Sequence, residues 1–290
     1  MPFDFADPGA VSDALDRTGY LPDPGLATAA FLALKMHRPL FLEGDAGVGK
    51  TSLAQALAEI GGATLVRLQC YEGIDAGQAL YDWDFPRQIL HLRAAESSGV
   101  DAEQLEKSLY TRRFLIARPI LQALEHSPSV LLIDEIDRAD DEFEAFLLEA
   151  LADNAVTVPE LGTIRAEQPP LVVLTSNRTR EVHDALKRRC LYHWVAHPDF
   201  QREVEILRRR LPDITERLAQ DVARTVRRMR ELDLLKPPGV AESIDWAEAL
   251  QLLGARELDP ERAAATLGAV LKYQEDAARI RDTVLAELAG

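Results

Sequence analysis

Residues 44 to 51 read Gly44-Asp45-Ala46-Gly47-Val48-Gly49-Lys50-Thr51, the spacing Gly-x-x-x-x-Gly-Lys-Thr. Glycines let successive backbone N–H groups turn inward around an anion, and a helix starting behind them adds partial positive charge. At this spacing the lysine reaches the β- and γ-phosphates of a nucleotide and the hydroxyl ligates Mg²⁺. All eight residues are therefore candidate nucleotide-binding residues, Lys50 as the cation and Thr51 as metal ligand; a plain glycine-rich turn is the competing reading. A second segment, "VLLIDEID", ends an apolar run in Asp134 and Glu135. At the C-terminal edge of a buried strand, Asp134 would hold Mg²⁺ through water and Glu135 would polarise an attacking water as general base. Solvated acids that merely follow a strand are the alternative.

Two further positions belong to the same chemistry. Asn177, closing "VVLTSN", offers a neutral amide at a strand end that could orient water against a γ-phosphate, although asparagine is also an ordinary turn residue there. Arg188 and Arg189 close the short helix "DALKRRC". Cations suit a helix C-terminus in any case; the functional reading is an arginine, Arg189 first and Arg188 second, that reaches the nucleotide of a neighbouring subunit.

Positioning these residues requires short buried strands. "PLFLEG", "TLVRLQC", "SVLLIDE", "PLVVLTSN" and "LYHWVAH" are the five candidates, separated by helical segments. That alternation predicts an α/β fold, a parallel sheet flanked by helices. One helix is expected before the first strand, over 25–37. From Asp199 onward only helical patterns follow, the last running unbroken over "DPERAAATLGAVLKYQEDAARIRDTVLAEL", so a boundary is placed near 199. Residues 1–198 form the expected nucleotide-binding domain, with an insert near 71–112 and a hairpin near 155–167; residues 199–290 form a small all-helical lid.

The chain has 290 residues and a net charge of -15. An acidic balance argues against broad nucleic-acid binding, which depends on cations that neutralise phosphates. Cys70 and Cys190, the two cysteines, fit neither a zinc spacing nor a disulfide framework and suit a reducing compartment. No signal-peptide pattern opens the sequence and no apolar run approaches the ~20 residues that span a bilayer. The expectation is a cytoplasmic protein without a membrane span. His183, His193 and His197 lack acidic or cysteine partners at a metal-ligand spacing and read as ordinary surface or core histidines.

The order of phosphate loop, acidic strand, strand-end Asn and helix-end Arg, followed by a helical domain, resembles AAA+ ATPases. The chain resembles the MoxR family most, in its carbon-monoxide-dehydrogenase maturation (CoxD-like) branch. The segments that bear the likeness are "LEGDAGVGKTSLAQALA", "RLQCYEGIDAGQALYDWDFPRQIL", "LLIDEIDRADDEFEAFLLEAL", "TSNRTREVHDALKRRCLYHWV" and "PPGVAESIDWAEAL". The resemblance implies ATP as the nucleotide, a homo-oligomeric, hexameric ring with ATP at subunit interfaces, and a partner with a von Willebrand A-type domain. It also implies a chaperone-like role in maturing a client metalloenzyme, a molybdenum hydroxylase, by metal or sulfur insertion. Where relatives often place a lid arginine, this chain reads Val240-Ala241-Glu242-Ser243, so no lid residue is assigned to the γ-phosphate. Two alternatives stay open: a DNA-processing AAA+ motor, and a nucleotide-gated assembly module with negligible hydrolysis.

The stretch "YDWDF" places Tyr81, Trp83 and Phe85 at alternate positions. In a strand they would share one face. They serve either as packing for the insert or as a contact for a client or partner.

Overall fold

The computed structural model describes residues 3–96, 102–151, 154–281 and 283. They divide into two compact units. The first takes in residues up to 11, 25–43 and 54–193; the second takes in 12–24, 44–53 and 194 onward.

The frame of the first unit is a sheet of β1 (Leu40–Glu43), β2 (Thr64–Gln69), β5 (Ser129–Asp134), β8 (Leu171–Ser176) and β9 (Leu191–Trp194), in the order β2-β5-β8-β1-β9. The pairs β2·β5, β5·β8 and β1·β8 are parallel. Every residue of β1, β5 and β8 is buried, as expected of a sheet covered on both faces. Crossovers between these strands are helical: α3 (Lys50–Ile60), then α4 (Ala76–Leu80), α5 (Phe85–Glu96), α6 (Ala102–Leu109) and α7 (Pro119–Glu125) between β2 and β5, and α8 (Asp141–Ala150) after β5. Leu121, Leu131, Ile133, Phe143, Leu147 and Leu174 form the centre of the core. The expected α/β fold with a parallel sheet is the one observed.

Within the stretch between β2 and β5, β3 (Tyr81–Trp83) pairs antiparallel with β4 (Leu115–Ala117). Tyr81 and Trp83 are half-buried and meet edge to face, and Trp83 packs in the same manner on Tyr110, with ring centroids 5.3 Å apart. Phe85 leaves the strand pattern, starts α5 and is 58% exposed. A second antiparallel pair, β6 (Ala155–Val158) with β7 (Gly162–Arg165), makes a hairpin.

Two helices, not one, precede β1: α1 (Pro8–Arg17) and α2 (Pro24–Met36). The missed helix has its own signal, since Asp7 caps it by accepting from Ala10 N–H at 2.8 Å and Pro8 occupies its first position.

The last two elements of the first unit's chain order are α9 (Asp184–Arg189) and β9. The second unit is helical: α10 (Phe200–Arg210), α11 (Glu216–Arg230), α12 (Val240–Leu252), α13 (Pro260–Val270) and α14 (Gln274–Ile280). Its core contains Leu207, Leu218, Val222, Met229, Trp246 and Leu250. The closing helix expected to run unbroken is instead split at Leu271–Tyr273, where the backbone is extended. There Asp276, 2% exposed, accepts from the backbone N–H groups of Leu235 and Lys236 at 2.8 and 3.1 Å. Those tertiary bonds outweigh the helix propensity of the linking residues.

Candidate active site

The glycine-rich loop leaves the end of β1 and runs into α3. Gly47 and Gly49 hold φ of 78° and 94°, values that side chains with a Cβ rarely adopt. At Gly47 a Cβ would also lie 2.7 Å from Glu242 Oε2. The Lys50 side chain is buried and its Nζ donates to the carbonyls of Gly44 and Asp45, both at 2.7 Å. Carbonyls of its own loop thus hold the ammonium beside the glycines. Gly47 O accepts from Val240 and Ala241 N–H at 2.9 and 3.2 Å, which docks the start of α12 on the loop. Asp45 is met by His197 Nε2 at 3.2 Å. Burial, with Arg230 nearby, lowers the His197 pKa, and Asp45 opposes this only in part. The spacing of His197 along the chain carries no signal of this; its place against the loop follows from the tertiary fold alone.

The acidic pair lies at the C-terminal edge of β5. Asp134 is 3% exposed. Its Oδ1 accepts from Thr175 Oγ1 at 2.5 Å, and its Oδ2 accepts from Arg67 Nε and Nη2 at 3.0 and 2.6 Å. Thr175 Oγ1 in turn accepts from Glu135 N–H at 3.0 Å, so one hydroxyl holds both acids. Glu135 is half-buried, and its backbone is left-handed at φ 56°, ψ 51°. Its Oε2 accepts from Gln69 Nε2 at 3.1 Å and lies 3.5 Å from Arg138. Arg67, Gln69 and Thr175 escape sequence reasoning. The register that sets Gln69 opposite Asp134 is a property of the folded sheet.

Asn177 follows β8, the strand beside β5. Its backbone N–H donates to the buried Asp137 carboxylate at 3.2 Å, and Thr179 donates to the same carboxylate through N–H and Oγ1 at 2.9 and 2.7 Å. The sheet therefore brings Asp134, Glu135 and Asn177 to one edge, with Asp137 tying the two loops together. Beneath the pair, Cys70 is buried and its thiol is pushed up to about 12, first by burial and then by Asp134 and Asp137. It is an inert small hydrophobe, not a nucleophile.

Arg188 and Arg189 stand exposed at the end of α9. Arg189 Nη1 donates to Leu148 O at 2.5 Å. Among the described residues no group of three or more histidine, cysteine, aspartate or glutamate side chains could hold a metal ion. Two hard oxygen donors of the kind Mg²⁺ takes are present, the Thr51 hydroxyl in the second unit and the Asp134 carboxylate in the first.

A glycine-rich loop with a buried lysine, and an acidic strand edge on a β2-β5-β8-β1-β9 sheet, define a P-loop nucleoside triphosphatase fold of the AAA type. The family model "AAA domain (dynein-related subfamily)" matches residues 39–190, over half of the chain, and the protein belongs to that family of ATPases. A 48-residue stretch, 17% of this chain, is 50% identical to Midasin of Giardia intestinalis and spans 1% of that protein. Among solved structures, two variants of Thermotoga maritima RuvB share the fold. One aligns over 84% of this chain and 66% of its own at 18% identity, the other over 96% and 74% at 17%, each with a TM-score of 0.50.

Proposed function

We propose that this chain is a Mg²⁺-dependent ATPase of the MoxR type, close to the carbon-monoxide-dehydrogenase maturation branch. It acts as a cytoplasmic homo-oligomeric ring, hexameric as in that branch. Hydrolysis drives a chaperone-like cycle in which the ring and a partner with a von Willebrand A-type domain mature a metalloenzyme of the molybdenum hydroxylase class. The observation that bears most weight is the acidic pair: a buried Asp134 in an ion pair and a Glu135 steered by three neighbours. A module that only bound nucleotide would not need a positioned base. The branch-level part is supported by "RLQCYEGIDAGQALYDWDFPRQIL" and "TSNRTREVHDALKRRCLYHWV".

In this reading the loop N–H groups and Lys50 bind the β- and γ-phosphates. Thr51 and Asp134 are the residues that would hold Mg²⁺, which when bound neutralises charge on the phosphate oxygens. Glu135 accepts a proton from the attacking water at a carboxylate oxygen, and Asn177 orients that water. Arg189, with Arg188 second, stabilises charge at a neighbouring subunit's nucleotide.

Phosphate release and binding of a fluorescent ATP analogue, measured on wild type, Lys50→Ala and Glu135→Gln, test this. Lys50→Ala is expected to lose binding at least tenfold. Glu135→Gln is expected to bind as wild type does while turnover falls on the order of 10²-fold or more. Wild-type protein that binds but does not turn over would establish the assembly module instead, and Glu135→Gln as fast as a wild type that does turn over would reject Glu135 as the base.

A further inference from the structure

We infer that Arg38 is a positioning residue for the arginines that act on a neighbouring subunit. The inference rests on the proposed role of α9 in reaching that subunit. Helix α2 ends at Met36; His37 turns left-handed at φ 52°, and Arg38 N–H returns to Ala33 O at 3.2 Å. That six-to-one closure is a Schellman end, and it fixes the direction in which the Arg38 side chain leaves. Its guanidinium then donates to three successive carbonyls at the end of α9: Nη2 to Arg188 O at 2.7 Å, Nε to Arg189 O at 3.1 Å and Nη2 to Cys190 O at 3.3 Å.

Helix α9 has six residues, too few to hold its own geometry. Its start is fastened where His183 N–H donates to the buried Glu144 carboxylate at 2.7 Å, a carboxylate that Arg180 also bonds. Its end carries the usual orphan carbonyls. A lysine could satisfy one of them. The planar fork of Arg38 instead sets the peptide planes of residues 188 to 190 against one another. Those planes set the directions in which the side chains of Arg188 and Arg189 leave the backbone; Arg189 Nη1 then rests on Leu148 O. Leu191 N–H adds a bond to Pro39 O at 2.8 Å, so the residue next to Arg38 holds the segment just beyond.

A group that aims an arginine at the next subunit's nucleotide leaves its own subunit's nucleotide site intact. Purified full chains of Arg38→Ala and Arg38→Lys would be assayed for turnover, ATP-analogue binding and thermal midpoint, alone and mixed with Glu135→Gln or with Arg189→Ala. Arg38→Ala is expected to lose turnover by about 10- to 100-fold with unchanged analogue binding, and Arg38→Lys to lose less. Mixed with Glu135→Gln, which supplies sound arginines, Arg38→Ala should regain turnover; mixed with Arg189→Ala it should not. Arg38→Lys serves the same mixtures if the alanine variant does not fold.

Turnover within twofold of wild type for Arg38→Ala overturns the inference. So does weakened binding without recovery in the Glu135→Gln mixture, when the control mixture of Glu135→Gln with Arg189→Ala does recover. Failure of that control mixture rejects the reading of α9 itself, and the inference with it.

Discussion

Glu135 occupies a left-handed backbone conformation that costs a non-glycine residue about 1–3 kcal/mol. Its N–H bond to Thr175, itself bonded to Asp134, helps to hold it there. His197 meets Asp45 of the loop at 3.2 Å. Its pKa is lowered in the folded state by burial, so the neutral ring is favoured there. The stability this adds is full above the unfolded value of 6.5 and is lost as pH falls below it toward the folded value. His197→Gln should flatten the fall in thermal midpoint between neutral and mildly acidic pH; an unchanged slope in the variant would show that another group is responsible. Lys50, Asp134 and Glu135 were legible because their spacing along the chain is itself the signal. Arg67, Gln69, Thr175 and Asp137 were not, because their partners lie 40 or more residues away and are met only through the β2·β5·β8 register.

Among the elements, the strands were readable because a parallel sheet buried on both faces leaves short, continuous apolar runs. Helix ends were less so, as the hidden α1 and the break before α14 show; there one buried carboxylate outweighs a long helical pattern. Most arginines of α10 and α11 are exposed, yet Arg230 turns inward. It makes a two-pronged pair with Glu203 at 2.7 and 2.8 Å and reaches Pro238 O and Ser243, joining α10, α11 and the start of α12. With side-chain exposures of 10% and 1%, losing one partner strands the other. Glu203→Ala should cost about 3–5 kcal/mol in urea unfolding, and Glu203→Met with Arg230→Met should recover most of it. A single variant within about 0.5 kcal/mol of wild type would show the pair to be idle.

At the scale of the whole molecule, no helix among the described residues is long and apolar enough to cross a membrane. The net charge of -15 weighs against broad binding to phosphate backbones. If the nucleotide site is completed by another copy, activity must follow assembly. The most direct measurement is ATP turnover per subunit across a protein concentration series, for wild type, Glu135→Gln, Arg189→Ala and the two variants mixed. A trans-acting ring predicts specific activity that rises with concentration, two inactive variants, and partial recovery on mixing. Turnover independent of concentration, together with a fully active Arg189→Ala, would contradict it.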